Sequence, residues 1–400
     1  MAFGRWCSIL FYMLIATVTC LMAYQVKLWQ LLVVQGKIKG QGYRRMMRAQ
    51  FLDRLFTVGI FVVLFVIMAF RFDIGNDYTQ YTQTAHEAFV DGYVVTEIGF
   101  NMLVKVLYGL IGGEYYEVIF AVFAFFTLLF FFKAFKRQSV NFAQTFFLFM
   151  TLGLYFQTFN TMRYYLALAI ALFSMKYVLE KDYIKFVFWI VVAALFHKSV
   201  LLVLPAYWIA TFEWKRWHIL AGLALCVVCF LGKGLVLKLA LVLYPSYKNT
   251  VYLEGGSSLT SIVRILAVLV LYFWFCFYAG EDLKSKSWYR EFRFYGQLNM
   301  FAFAASTFFS FLPVVTRIAY YFGVSQLFLI PLIVGNVAGV RTCHETGQQA
   351  EMNIEKRVKT IIFISCLVYF ILFLLQAHRD GVGLLPYRSW LFETERYHYK

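Results

Sequence analysis

The sequence predicts an all-α, polytopic integral membrane protein with about twelve transmembrane helices, and three observations predict it. Hydrophobic residues make up 62% of the 400 residues and charged residues only 14%, with a mean hydropathy of +0.69. Soluble domains run at roughly 45–50% apolar and about 25% charged. Apolar runs near the ~20 residues that a helix needs to cross a bilayer recur along the whole chain. The Lys and Arg side chains fall in short loops between those runs, which is how membrane topology is written. Forty-six Phe and 28 Tyr against 5 Pro describe long apolar helices. Disorder, collagen-like repeats, coiled coil and a disulfide scaffold are excluded. The net charge of +16 does not point to nucleic acid, because the charges form no basic face.

The expected spans are 8–33, 54–70, 116–132, 141–159, 163–179, 183–196, 199–212, 217–237, 261–279, 294–312, 317–339 and 358–376. The pair 183–196 and 199–212 is short for two crossings, and a single broken or re-entrant element at His197-Lys198-Ser199 is its alternative. With twelve spans, the basic loops 36–54, 133–137, 176–185, 213–216, 281–293 and 341–359 share one side with Lys27. That side holds 23 of the 37 Lys and Arg and is expected to be cytoplasmic. Both termini then face outward. The chain reads as one transmembrane domain over 1–400, with outward loops 71–115 and 238–260 and an outward tail 377–400. The long loop is amphipathic and is expected to carry a short helix around Gly99–Leu110. The apolar run after Arg5 is too long for a signal peptide and lacks an A-x-A site, so it reads as a retained helix. Seven cysteines lie in or beside apolar runs. The Cys226-x-x-Cys229 pair sits inside one such run and reads as buried small hydrophobes.

Ionisable residues at the ends of apolar helices are costly, which makes them candidates for function. Arg71-Phe72-Asp73-Ile74-Gly75-Asn76-Asp77-Tyr78 follows the second span. It reads equally well as a snorkelling Arg with a solvated turn. Asp73 and Asp77 lack a third ligand, so a metal site there is a weak reading and none is expected. Glu97 is an acid at the start of a helix, favoured by its dipole. Arg163 is a cation at a helix start, against the dipole, and calls for an anionic neighbour. His197 interrupts an apolar hairpin, and Arg317 lies at another helix end with Tyr320 and Tyr321 one turn on. Three arginines and a histidine thus sit at the expected outer ends of four apolar elements. Guanidinium groups suit bidentate phosphate recognition, so lipid-linked phosphates or diphosphates are the expected ligands.

The segments RFDIGNDYTQY at 71–81, EIGF at 97–100, RYYLALAIALFSMKYVLEKDYIKF at 163–186, LFHKSVLLVLPAY at 195–207 and TRIAYYF at 316–322 resemble, in order and spacing, the EpsG/Wzy-type polysaccharide polymerases of bacterial capsule, exopolysaccharide and O-antigen assembly. The resemblance implies a GT-C-like membrane glycosyltransferase of the bacterial cytoplasmic (inner) membrane, acting on its outer face without cofactor or metal. A hydroxyl of one polyprenyl-diphosphate-linked repeat unit would attack the anomeric carbon of a chain on a second carrier, and polyprenyl diphosphate would leave. Arg71, Arg163 and Arg317 would grip the diphosphate, with Lys198, Tyr78, Tyr320 and Tyr321 as further substrate contacts and Asp73 in support. Asp77, Glu97 or His197 would take the acceptor proton. Expected partners are the donor and acceptor lipids, the bilayer, and a flippase and chain-length regulator of the same pathway. Two other readings are an O-antigen ligase or related lipid-donor transferase, and a lipid-linked oligosaccharide flippase. Suspects at one face and the lack of a repeat weigh against a transporter.

Overall fold

A computed structural model describes residues 4–39, 43–92, 94, 96–243, 256–313, 315–340, 345–379 and 383–392. Most of the expected loop 238–260, with Tyr244-Pro245-Ser246-Tyr247, and the end of the tail lie outside the described residues. So do 40–42 and 341–344 of two basic loops.

Among the described residues the regular elements are all helices. In chain order the helices are α1 (Arg5–Lys39), α2 (Tyr43–Ala69), α3 (Tyr78–Phe89), α4 (Ile98–Ile111), α5 (Tyr116–Gln138), α6 (Phe142–Thr151), α7 (Leu154–Gln157), α8 (Met162–Leu179) and α9 (Tyr183–Ala194). A 3₁₀ turn at Lys198–Leu202 leads into α10 (Val203–Ile209). Then come α11 (Arg216–Leu231), α12 (Lys233–Leu243), α13 (Leu259–Ala279), α14 (Tyr289–Thr307), α15 (Val315–Gly323), α16 (Gln326–Asn336) and α17 (Glu345–Arg379).

Among the described residues seven helices are long and apolar enough to cross a membrane: Arg5–Val33, Arg44–Ala69, Tyr116–Gln138, Met162–Leu179, Leu259–Ser285, Val315–Asn336 and Glu351–His378. The pair Arg216–Leu231 and Lys233–Val242, bent by 86°, makes an eighth if counted as one span. This is a membrane protein, with fewer long spans than the twelve expected. The run 141–159 divides into α6 and α7, and 183–212 divides at His197 into α9 and the short Lys198–Ile209 element. A 12-residue helix reaches only about 18 Å, short of a ~30 Å core. α14 carries Arg290, Glu291 and Arg293 in its first turns and fails on charge.

The chain forms two compact units. The first comprises 1–173, 195–197 and 356–400, and the second 174–194 and 198–355. In the first, α1, α2, α5 and α6 pack side by side around buried aromatic rings, including Tyr12, Phe123, Phe131, Phe135, Phe149 and Tyr155. Between apolar lipid and apolar core there is no hydrophobic gain, so this packing rests on van der Waals contact and ring geometry. Phe131 and Phe149, with ring centroids 4.8 Å apart, and Phe135 and Phe149 at 5.2 Å, show the interlock.

The two ends of this unit differ in chemistry. At one end Asp53 receives Gln30 at 3.1 Å and Lys136 at 3.3 Å, which joins α1, α2 and α5. The other end carries the loop after α2. The expected amphipathic helix at Gly99–Leu110 is α4, whose buried residues Phe100, Val104 and Tyr108 repeat every four positions. Before it, α3 buries Tyr78, Tyr81, Thr82, Ala85 and Ala88, again one helical stripe.

In the second unit α14 packs against α13, α15 and α16. A small cluster of Ala305, Val315 and Ala319, flanked by Phe309 and Leu312, fixes the start of α15.

Candidate functional site

The first unit gathers four stretches at the end where α2 exits: 70–81, 97–100, 157–165 and 195–197. Arg163 opens α8, and its Nη1 donates to the Glu97 carboxylate. The guanidinium also lies over the rings of Tyr81 at 5.5 Å and Phe100 at 5.4 Å. Both members of the pair are largely buried, at 19% and 14% side-chain exposure. The anionic neighbour that Arg163 required is therefore Glu97, supplied from the start of α4. This makes Glu97 a counter-ion, with its carboxylate already engaged.

His197 is held beside them. Gly99 N–H donates to the Leu195 carbonyl at 2.9 Å, and a Cβ on Gly99 would stand 2.6 Å from that oxygen. Only glycine permits this approach of α4 to the break before the 3₁₀ turn. Phe196 then seats edge-on against Phe123, with centroids 5.8 Å apart, and His197 meets the Tyr164 ring edge-on at 5.4 Å. His197 is 8% exposed.

Arg71 stands differently from the expectation. It is wholly buried, donates from Nη1 to the Met68 carbonyl at 2.5 Å, and lies over Phe120 at 4.8 Å and Phe159 at 5.6 Å. Its Nε has no hydrogen-bond partner. Burial lowers its pKa to about 10, with the neighbouring Tyr78 opposing the drop, so it stays a cation near neutral pH. Tyr78 stacks flat on Phe120 at 4.5 Å and is likewise core.

What covers Arg71 is the segment 383–392, which the sequence left as an uninformative tail. Phe72 N–H donates to the Arg388 carbonyl at 3.0 Å, and Trp390 N–H to the Phe70 carbonyl at 3.1 Å, with an antiparallel bridge between Arg71 and Ser389. The Tyr387 hydroxyl donates to the Ile67 carbonyl at 3.1 Å and the Ser389 hydroxyl to the Phe70 carbonyl at 2.8 Å. The last carbonyls of a helix have no partner within it, and in a membrane each unmet one is costly. Arg71, Tyr387, Ser389 and Trp390 meet those of α2 and of the residue just after it. Asp73, with φ 52°, pairs with Arg388 at 3.8 Å.

Asp77 remains. It precedes α3 in the N-cap position without capping it, and its carboxylate makes no hydrogen bond or ion pair among the described residues. Its backbone carbonyl accepts from Tyr81 N–H at 2.9 Å, one turn away from the ring beneath Arg163. Among the described residues no three His, Cys, Asp or Glu side chains come together as a metal site.

In the second unit, Arg317 lies on α15 with Thr316 and Tyr320 on the half-buried face, while Val315, Ala319 and Phe322 face the core. Arg264, from within the apolar α13, lies over the Tyr320 ring at 5.3 Å. The sequence reading passed over Arg264, although an arginine inside an apolar run was signal enough. Tyr321 is fully buried; its hydroxyl is 3.2 Å from the Ser199 hydroxyl, and its carbonyl accepts from Tyr207 at 2.8 Å. Lys198 is exposed at the start of the 3₁₀ turn.

The sequence model of the EpsG family matches residues 54–389, more than four-fifths of the chain. The chain belongs to the EpsG family. The match takes in every stretch of the site described above and runs to Ser389 in the covering segment. No curated protein and no solved structure matches the chain.

Proposed function

We propose that this EpsG-family protein polymerises polyprenyl-diphosphate-linked oligosaccharide units at the outer face of the bacterial cytoplasmic membrane, as a lipid-donor glycosyltransferase of GT-C-like type. A sugar hydroxyl of one unit bonds to the anomeric carbon of the other, the bond from that carbon to the diphosphate breaks, and the hydroxyl proton passes to a base. The observation that carries this reading is that the first unit holds Arg163 over the rings of Tyr81 and Phe100. Tyr81 lies one helical turn along α3 from Asp77, whose carboxylate makes no hydrogen bond or ion pair among the described residues.

In this reading Arg163 receives the diphosphate, with Glu97 as the counter-ion that holds it in place beforehand. Pre-oriented cations at a departing phosphate stabilise charge where it develops and cost no reorganisation. In the second unit Arg317 and Arg264 are further cations, Arg264 lying over the Tyr320 ring. Asp77 takes the acceptor proton, since Glu97 is engaged and His197 is nearly enclosed. Arg71 does not touch substrate; it fixes the loop that carries Asp77. Tyr78 and Tyr321 likewise support from the core.

The test is a reconstitution. Purified protein in liposomes is given radiolabelled lipid-linked repeat units extracted from cells lacking this chain. Growth of a ladder of longer lipid-linked chains is the expected result. Transfer to another acceptor without a ladder would make the protein a ligase, and translocation without new bonds would make it a flippase.

A further inference from the structure

Beside Asp77 lies an amide whose acceptor side is already spoken for. Asn76 N–H donates to Asn160 Oδ1 at 3.1 Å. A backbone N–H can only donate, so the atom facing it must be the oxygen, and the Asn160 amide cannot be flipped. Its Nδ2 is thereby turned away from Asn76, and it makes no hydrogen bond among the described residues. Asn160 is half-buried, Asn76 is exposed, and Asp77, whose carboxylate is unpaired among the described residues, follows Asn76 in the chain.

The backbone is built to make this approach. Gly75 has φ 101°, and a Cβ there would sit 2.2 Å from the Phe159 carbonyl oxygen. No other residue lets the 75–77 stretch lie against 159–160. From the far side, Gly75 N–H donates to the Gly383 carbonyl at 2.7 Å, so the covering segment clamps the loop in place. Behind Asn160, the Tyr165 hydroxyl donates to Gln157 Oε1 at 2.9 Å, which steadies the turn that leads into Arg163.

We infer that Asn160 and Asp77 form the subsite for the acceptor sugar, taking a pair of neighbouring hydroxyls. This rests on the polymerase reading above. Adjacent sugar hydroxyls each donate and accept. The Asn160 amide donates to one oxygen, and the Asp77 carboxylate accepts from the other hydroxyl, the one that attacks. Holding the first hydroxyl turns the second toward its base, and orientation of this kind is a large part of catalysis of two-substrate reactions. In the transfer, the attacking oxygen bonds the anomeric carbon, its proton goes to Asp77, and the electron pair of the broken bond leaves with the polyprenyl diphosphate. Asn160 is a positioning residue: it neither gains nor loses a proton.

The substitution Asn160→Asp tests this directly. It keeps an oxygen for Asn76 N–H, so the loop contact survives, and it replaces the two amide donors with an acceptor. Asn160→Ala removes both functions and serves as the comparison for folding. Wild type and variants are measured in liposomes with a preformed lipid-linked dimer as donor and the lipid-linked single repeat as acceptor. Binding of polyprenyl diphosphate alone is measured in parallel. The expected result for Asn160→Asp is wild-type yield and melting, unchanged polyprenyl diphosphate binding, and an acceptor KM raised about tenfold, the scale of one lost oriented hydrogen bond. Wild-type acceptor kinetics in Asn160→Asp would overturn the subsite, as would a parallel loss of polyprenyl diphosphate binding, which would place Asn160 on the donor side. Wild-type protein that binds polyprenyl diphosphate yet never extends a chain would instead overturn the polymerase reading, and the subsite with it.

Discussion

Glu97→Gln removes one charge of the Arg163–Glu97 pair and almost no volume. Arg163 would then be a guanidinium at 19% side-chain exposure whose Nε already lacks a hydrogen-bond partner. Removing one member of a fully buried ion pair costs about 3–5 kcal/mol, because the other charge is left uncompensated. Here the rings of Tyr81 and Phe100 retain part of the interaction, and a cation over a desolvated ring is worth about 1–2 kcal/mol. Residual solvent contact lowers the cost further, so Glu97→Gln should destabilise by about 2 kcal/mol. Reversible unfolding in mixed micelles of Glu97→Gln, Arg163→Met and the double variant measures it as a cycle. The double variant should be less destabilised than the sum of the singles by at least about 1 kcal/mol, since contacting charges couple. Costs that add within about 0.5 kcal/mol would show that the pair does not hold α4 to α8. The same variant separates roles. As the counter-ion that pre-orients Arg163, Glu97 is needed for its grip on the departing phosphate, so Glu97→Gln should lower chain growth and alter polyprenyl diphosphate binding together. Loss of chain growth at unchanged lipid binding would move the base from Asp77 to Glu97.

Five further outcomes are expected. Asp77→Asn should lower chain growth by about 10²–10⁴, the usual worth of a general base, with polyprenyl diphosphate still bound; retention of activity would exclude Asp77. Arg163→Lys should weaken lipid diphosphate binding while the fold survives, because the planar fork is lost. Arg71→Lys should lower folded yield instead, and equal lipid binding losses in both would return Arg71 to the phosphate site. Tyr387→Phe should cost about 1–3 kcal/mol in the same unfolding assay, as the Ile67 carbonyl loses its donor; an unchanged midpoint would show that the covering segment is not needed to satisfy α2. In intact cells, single cysteines in 71–115 should react with an impermeant reagent and one near Arg45 should not; the reverse pattern inverts the orientation.

Hydropathy alone located α1, α2, α5, α13 and α17, because each contains a long apolar run with few charges. Elsewhere it merged shorter elements into single runs, for a physical reason. Apolar residues 141–159 are apolar because they are buried among aromatic rings of the same chain, and burial by protein and by lipid selects the same side chains. Hydropathy cannot tell one long helix from two short ones. The break at His197 was visible as a polar interruption, and α4 as an amphipathic stripe. The covering segment was not visible. Tyr387 and Ile67 are 320 residues apart in the chain, and no local pattern encodes such a contact.

The site was legible where a residue broke a local rule. Arg163 opposes its helix dipole, and that conflict announced a carboxylate partner 66 residues away without naming it. Asn160 broke no rule, since an amide before a helix is ordinary, and only the Asn76 contact shows which way its donors turn. Arg71 is the instructive case, because two readings of it were equally good and neither describes it. A snorkelling arginine would reach water, and a phosphate ligand would face an open cleft. Arg71 does neither, since it is sealed against Met68, Phe120 and Phe159. A cation is retained in such a place when it does something an apolar side chain cannot, which here is to donate to a carbonyl at the end of α2. The segment that seals it also supplies the Gly383 carbonyl that receives Gly75 N–H. The covering segment therefore serves two places at once: it bridges to Arg71 at the end of α2 and holds Gly75, two residues before Asp77.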